Sequence, residues 1–517
     1  MIDSSQPKWN QDQHHAINTI IQVAFARIRE ITVTDDEWLV GLWKRLVRHY
    51  HTDTTARKDI PLSKAITYLL TPDDVRFQVI LDLLSVILDL APESQADKDV
   101  EMKYDARERR FLLEVAHAMQ LAPVDVNMAE RAVGQQIYFK LEERNAAESG
   151  TRTGDMGESA SAAMEDASRR NKAWRWVKMG AGAAAGGAVI ALTGGLAAPL
   201  VAPLVVGLTG ATFFTTAGGI ALMTGLFGLT GGGLTGTEHN GWKLHRRTRG
   251  IDDFNFEQIL DPSIPHIPSL NCTICVSGYL QDDASLCTTP WEIAFQKSKA
   301  YQDIYCVSYE KAALLNLGRA FKSFIRNEAF MYAGKEALKM TALQAFFAAV
   351  ALPATLLKVT DVIDNPWQIA SDRSIKAGIV LADVLEQRVH GKRPCTLIGF
   401  SVGTLVITQC LQELAERGQF GIIDNVVLMG APISSSNKNL WAAMRSVVSH
   451  QFINCYSPKD WVLATVYRLH SMSTEVAGLS PITNVPGIEN VQVDIEGHSS
   501  YSDNVSSILS QVQLVEA

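Results

Sequence analysis

Apolar residues recur along this chain at two different periods, and the change of period divides it. Between residues 15 and 145 they fall at helical spacing. Trp38, Leu39, Leu42, Trp43 and Leu46 make one stripe, and Val79, Ile80, Leu83, Leu84, Ile87 and Leu88 make another. Phe111, Leu112, Val115 and Ala116 continue the pattern. This predicts an all-helical N-terminal domain over 1–145, with the intervening acidic residues on its solvated face. Over 146–178 Ala, Ser, Glu and Gly dominate, which predicts a linker or an exposed helix. Beyond residue 250 the texture changes again. Short apolar runs at 272–276, 304–309, 396–398, 426–429, 452–456 and 491–495 read as strands, and helical patterns separate several of them. That alternation predicts an α/β domain over 250–517 with a mostly parallel sheet covered on both faces.

The interval between Tyr309 and Cys395 is too long for a plain crossover, so a helical insertion at about 310–375 is expected. Its uncharged stretch 341–357 reads as a core helix, as a lid over an apolar pocket, or as a membrane-dipping segment.

A second feature interrupts the pattern between the two domains. Residues 179–237 carry no charge and are rich in Gly and Ala. A span needs about 20 apolar residues, so the run has room for two. Lys172, Arg175 and Lys178 precede it, and Lys243, Arg246, Arg247 and Arg249 follow it. Basic residues at both ends predict that both ends lie on the cytosolic side. Small residues such as Gly186, Gly187, Gly194 and Gly195 allow close helix approach. The competing reading is a buried Gly/Ala-rich helical pair, since Gly is a poor helix former and only weakly apolar.

Composition narrows the class. At 517 residues, 47% hydrophobic and 20% charged, the chain has material for two to four folded domains. A net charge of −8 argues against a nucleic-acid partner. The polar N-terminus, 1–15, lacks the apolar core of a secretory signal. Seven cysteines without framework spacing suggest reduced thiols and an intracellular location. Cys272 and Cys275 are three apart on a strand-like run and so face opposite sides. No metal or other cofactor is expected.

The chemistry is concentrated at Gly399-Phe400-Ser401-Val402-Gly403. This G-x-S-x-G follows the strand-like Cys395-Thr396-Leu397-Ile398 and precedes a helical pattern that ends near Gly418. Strand, sharp turn and helix are the setting a nucleophile elbow requires, with Gly399 and Gly403 permitting the turn. A serine hydroxyl needs a base within reach and a third group to orient that base. In hydrolase order the acid and then the base follow later strands. Asp460 lies after 452–456 and His498 after 491–495. Asp424 precedes its strand, Asp494 lies within one, and His470 follows a helical stretch, so each fits less well. The oxyanion donors expected are the backbone N–H of Val402 and that of Tyr279, with Leu280 as the alternative; Gly278 permits close backbone approach there.

These residues resemble those of the DUF726 family, which includes the transmembrane and coiled-coil domain-containing protein 4 type. The resemblance runs through Tyr104-Asp105-Ala106-Arg107, Leu192-Thr193-Gly194-Gly195-Leu196-Ala197-Ala198-Pro199 and Leu226-Phe227-Gly228. It continues through Asp364-Asn365-Pro366-Trp367, Leu397 to Gly403, Val427-Leu428-Met429-Gly430-Ala431-Pro432, Asn454-Cys455-Tyr456-Ser457 with Asp460-Trp461-Val462-Leu463, and Gly497-His498. It covers roughly 100–505 and implies an α/β-hydrolase-like fold with membrane segments, with Ser401, Asp460 and His498 falling on the triad. Residue 402, often Leu in the family, is Val here.

The reading that follows is a membrane-associated serine hydrolase, a lipase or phospholipase acting on acyl esters. Its partners would be a lipid substrate and a membrane. The alternatives are a membrane-attached scaffold or trafficking factor that uses the hydrolase fold for binding, and a membrane-perturbing protein driven by 179–237.

Overall fold

The computed structural model describes residues 9–31, 36–50, 60–88, 104–148, 225–227, 250–261, 266–282, 286–299, 302–332, 354–470, 475–483, 485–495 and 497–514. The chain divides into two compact units. One comprises Met1–Thr230, Pro262–Leu270 and Gly391–Pro394, and the other Gly231–Asp261, Asn271–His390 and Cys395–Ala517.

The first unit is helical: α1 (Gln11–Ile31), α2 (Asp36–Tyr50), α3 (Leu62–Leu70), α4 (Arg76–Ile87), α5 (Ala106–Ala118) and α6 (Pro123–Glu148). The apolar stripes face inward, and Leu42, Leu83, Leu84, Phe111 and Val115 are buried in one cluster. Helix α5 starts at a capping box, in which Asp105 accepts from the N–H of Arg107 and Glu108 accepts from the N–H of Asp105. Buried Asp82 accepts from the Tyr50 hydroxyl at 2.5 Å and lies 3.2 Å from His49 Nε2, which ties α2 to α4.

The second unit is built on a seven-stranded sheet. Its strands are β1 (Phe254–Ile259), β2 (Cys272–Val276), β3 (Asp303–Tyr309), β4 (Cys395–Phe400), β5 (Ile423–Met429), β6 (Phe452–Tyr456) and β7 (Ile488–Gln492), in the order β1-β3-β2-β4-β5-β6-β7. Only β1 is antiparallel, pairing with β3. Every residue of β3, β4 and β5 is buried, as expected of parallel strands covered on both faces.

The helices of this unit are α7 (Thr289–Ala294), α8 (Lys311–Tyr332), α9 (Ala354–Glu386), α10 (Gly403–Glu416), α11 (Lys438–Ser446), α12 (Trp461–His470) and α13 (Tyr501–Gln511). Helix α9 packs along α10, and its end is held by Arg417, which reaches Asp383, Glu386 and Glu413 at 2.8, 2.7 and 2.6 Å. Helix α10 stops where Gly418 takes φ +64°, the left-handed turn that suits glycine.

From β2 the chain moves to β3 on one side, then returns to place β4 on the other. The connections therefore diverge between β2 and β4, the kind of position at which open parallel sheets commonly carry their ligand sites.

Among the described residues no helix is long and apolar enough to cross a membrane. Apart from residues 225–227, the 179–237 run lies outside the described residues, as do 149–178 and most of 341–357.

Candidate active site

Ser401 occupies the divergence point. It directly follows β4, and α10 begins two residues later. Its φ is +55°, a region that a non-glycine residue seldom enters, so the turn is strained and must be held from outside. The Ser401 N–H donates to the Met429 carbonyl at 2.9 Å. The Ser401 carbonyl accepts from the N–H and hydroxyl of Thr404, at 3.0 and 2.6 Å. At Gly403 a Cβ would lie 2.5 Å from the Val276 carbonyl oxygen, and at Gly399 one would lie 2.8 Å from Ile407 Cδ1. The elbow is thus pressed against the backbone at the end of β2, where no larger residue fits at Gly403, whereas the contact at Gly399 is with the tip of a side chain that can shift.

Three loops bring the other groups to the same edge of the sheet. Asp460 follows β6 and caps α12, its Oδ1 accepting from the Leu463 N–H at 3.0 Å. His498 follows β7 and opens a single 3-10 turn, His498–Ser500. His498 Nδ1 lies 2.6 Å from Asp460 Oδ2, and His498 Nε2 lies 2.6 Å from Ser401 Oγ. A carboxylate can only accept, so Nδ1 carries the proton and Nε2 accepts from the serine hydroxyl. The Ser457 hydroxyl donates to the Ile495 carbonyl at 2.6 Å and ties the Asp460 and His498 loops together.

The loop after β2 supplies the fourth wall. The Leu280 N–H is engaged by the Leu314 carbonyl at 3.2 Å. The N–H groups of Tyr279 and Val402 have no acceptor among the described residues, which leaves them open to a ligand oxygen.

Ser401, Asp460 and His498 are each fully shielded from solvent. Aromatic rings do much of the shielding. Phe321 of α8, Trp367 of α9, Tyr501 of α13 and Tyr279 stand 5.3, 6.2, 5.5 and 6.4 Å from the His498 ring, centroid to centroid. The site is therefore polar at its centre and apolar around it.

The rival residues lie elsewhere. Asp424 begins the body of β5, at the opposite end of the strand from the site, and accepts from the Asn425 amide at 2.8 Å. Asp494, expected within a strand, lies two residues past β7. There it is exposed and paired with Lys459 at 2.8 Å. His470 ends α12, and its side chain is outside the described residues. None of the seven cysteines, Cys272 and Cys275 included, is in a disulfide. Among the described residues no group of three His, Cys, Asp or Glu could hold a metal ion.

A family model described as a protein of unknown function, DUF726, matches residues 170–515. The chain belongs to the DUF726 family. It is 33% identical over 482 residues to the transmembrane and coiled-coil domain-containing protein STS1 of Oryza sativa subsp. japonica, a match covering 86% of this chain and 68% of that one. An uncharacterised membrane protein of Schizosaccharomyces pombe is 35% identical over 428 residues, covering 79% and 68%. The probable lipase MIL1 of Saccharomyces cerevisiae is 33% identical over 313 residues, covering 59% of this chain but 28% of that protein. No solved structure matches. Within this DUF726 chain, several segments that carried the resemblance meet around Ser401. Trp367 ends one of them and lies against His498, a role that its sequence position alone did not reveal. Phe321, Tyr501 and the Tyr279 hydroxyl were likewise not legible as site residues.

Proposed function

We propose that the chain is a serine hydrolase of the α/β-hydrolase type that cleaves acyl esters of lipids at a membrane. The observation that carries this reading is the continuous relay from Asp460 through His498 to Ser401, with 2.6 Å at each step. The strand order supports the fold reading. Its antiparallel first strand, the divergence between β2 and β4, and the succession of serine, acid and base after β4, β6 and β7 all accord with a hydrolase sheet.

In the mechanism, Ser401 Oγ attacks the ester carbonyl while His498 Nε2 takes its proton. Asp460 holds the ring orientation and stabilises the imidazolium that forms. The carbonyl oxygen gains negative charge and is met by the N–H groups of Val402 and Tyr279. His498 then returns the proton to the departing alcohol. Water, deprotonated by the same nitrogen, releases the acid and restores Ser401. The aromatic surround suits an acyl chain, and the relatives named as membrane proteins and as a probable lipase support a lipid substrate. In this reading 179–237 attaches the enzyme to the membrane, with both its ends on the cytosolic side.

A second reading, a membrane-attached binding protein with a hydrolase scaffold, draws on the complete burial of Ser401. A fluorophosphonate probe, applied with and without phospholipid vesicles, separates the two. The enzyme reading expects labelling of the wild type and none of Ser401→Ala. A folded wild type left unlabelled in both conditions would overturn it. Carbonate extraction tests attachment, since release into the supernatant would count against a spanning segment.

A further inference from the structure

We propose that the Tyr279 hydroxyl is a positioning residue for His498, so that the loop offering the oxyanion donor also sets the base. This rests on the serine-hydrolase reading above and extends it to a side chain that does not touch the reacting atoms.

His498 opens one 3-10 turn that leads into α13, and its carbonyl accepts from the Tyr501 N–H within that turn. So short a turn supports itself weakly, and a second bond to the same carbonyl comes from across the site. The Tyr279 hydroxyl donates to the His498 carbonyl at 3.2 Å, with Ser502 Oγ a more distant acceptor at 3.4 Å. The same oxygen accepts from the Ser502 N–H at 3.3 Å, within the first turn of α13. Gln281, two residues further along the loop, donates from Nε2 to Ser502 Oγ at 2.7 Å and to Asp503 Oδ1 at 2.9 Å. Three residues of one loop thus have defined partners: Gly278 against the elbow, Tyr279 on His498, and Gln281 on α13, which lies outside the relay.

The Tyr279 ring is itself held. It packs edge-on against Phe321 and Phe400, at 5.3 and 5.2 Å between centroids. Burial pushes the phenol well above its ordinary range, so the hydroxyl keeps its proton and remains a donor wherever the enzyme is folded. A shift of the loop would move the oxyanion donor and the base together. Ser401 would then lose both its proton acceptor and its charge stabilisation in one motion.

The test uses full-length protein and fluorophosphonate labelling kinetics, which separate probe affinity from the rate of bond formation. Tyr279→Phe keeps the ring contacts and removes only the hydroxyl. The expected result is a fall in the bond-forming rate constant of roughly 10–100-fold, the scale of a misplaced reactive group, with probe affinity and melting temperature little changed. Ser502→Ala retains the bond to the His498 carbonyl and is expected to label at the wild-type rate. An equal loss in Ser502→Ala would assign the effect to α13 docking and overturn the proposal, as would a wild-type rate in Tyr279→Phe. If Tyr279→Phe does not fold, 3-fluorotyrosine at 279 preserves the shape and strengthens the donor. It is expected to raise the rate constant, and an unchanged rate would overturn the proposal. A wild type that never labels would instead sink the hydrolase reading itself, an outcome distinct from a labelled wild type matched by Tyr279→Phe.

Discussion

Gly278 lies so close to Phe400 that a Cβ on the glycine would sit 2.2 Å from the Phe400 carbonyl oxygen, and 2.7 Å from both Ser401 Cβ and the Val402 nitrogen. The contact is between backbones, so no side chain can rotate away to relieve it. Gly278→Ala must therefore push the β2 loop off the elbow. Labelling of Ser401 is expected to fall by about 10²–10³, the scale of losing an oxyanion donor. Gly497 is the instructive contrast. It adjoins His498, yet a Cβ there meets nothing within 4 Å, and its φ of −151° is open to any residue. Gly497→Ala is expected to label like wild type, and a large loss there would contradict the geometry.

Asp460→Asn tests the acid. The substitution keeps an oxygen able to cap α12 through the Leu463 N–H. It offers His498 Nδ1 an amide in place of a carboxylate, which favours the tautomer with its proton on Nε2, facing Ser401. Ester hydrolysis is expected to fall by about 10⁴ with the melting temperature nearly unchanged. A loss below tenfold would show that Asp460 does not orient the base.

The relay was legible because hydrolase order is a linear property. Each of Ser401, Asp460 and His498 follows an apolar run that the eye can find, and the runs at 272–276 and 452–456 coincide with β2 and β6. Edge strands were harder. β1, Phe254-Asn255-Phe256-Glu257-Gln258-Ile259, is antiparallel at the sheet edge and half polar, so it lacks a continuous apolar run. β7 runs over Ile488–Gln492 rather than 491–495. All five of its residues are partly or fully exposed, and Val493 and Ile495 are apolar because the chain turns into the core after the strand ends. The aromatic surround was illegible for another reason. Phe321 and Trp367 reach His498 from more than 100 residues away, and no local pattern encodes such a meeting.

Trp367 and Phe321 make a prediction about access. Both are buried, on α9 and α8, and their rings close over a base with no solvent exposure. Under the proposed hydrolase reading, an ester would have to displace them to reach Ser401. Trp367→Ala opens that route and is expected to speed labelling by small probes in the absence of vesicles, while lowering stability by about 3–5 kcal/mol. Slower labelling of the folded variant would instead make Trp367 part of the surface that binds substrate.

The helical unit carries its own titration. Glu108 is buried at the start of α5, where it closes the capping box and pairs with Arg45. Burial raises its pKa from 4.5 to about 7, against the opposing pull of the Arg45 charge. In the unfolded chain the carboxyl titrates near its ordinary value. Between the two values the folded state binds the extra proton, so stability falls as pH rises through that window. The contribution is fully present below about pH 4.5 and is lost as pH passes about 7. A displacement of that size corresponds to a swing on the order of 3 kcal/mol. Glu108→Gln retains an acceptor for the Asp105 N–H but cannot ionise. Thermal melting followed by circular dichroism from pH 5 to 8 should show the wild type losing stability relative to Glu108→Gln as pH rises. Parallel curves for the two proteins would mean that Arg45 keeps Glu108 ionised throughout, with the ion pair outweighing the burial.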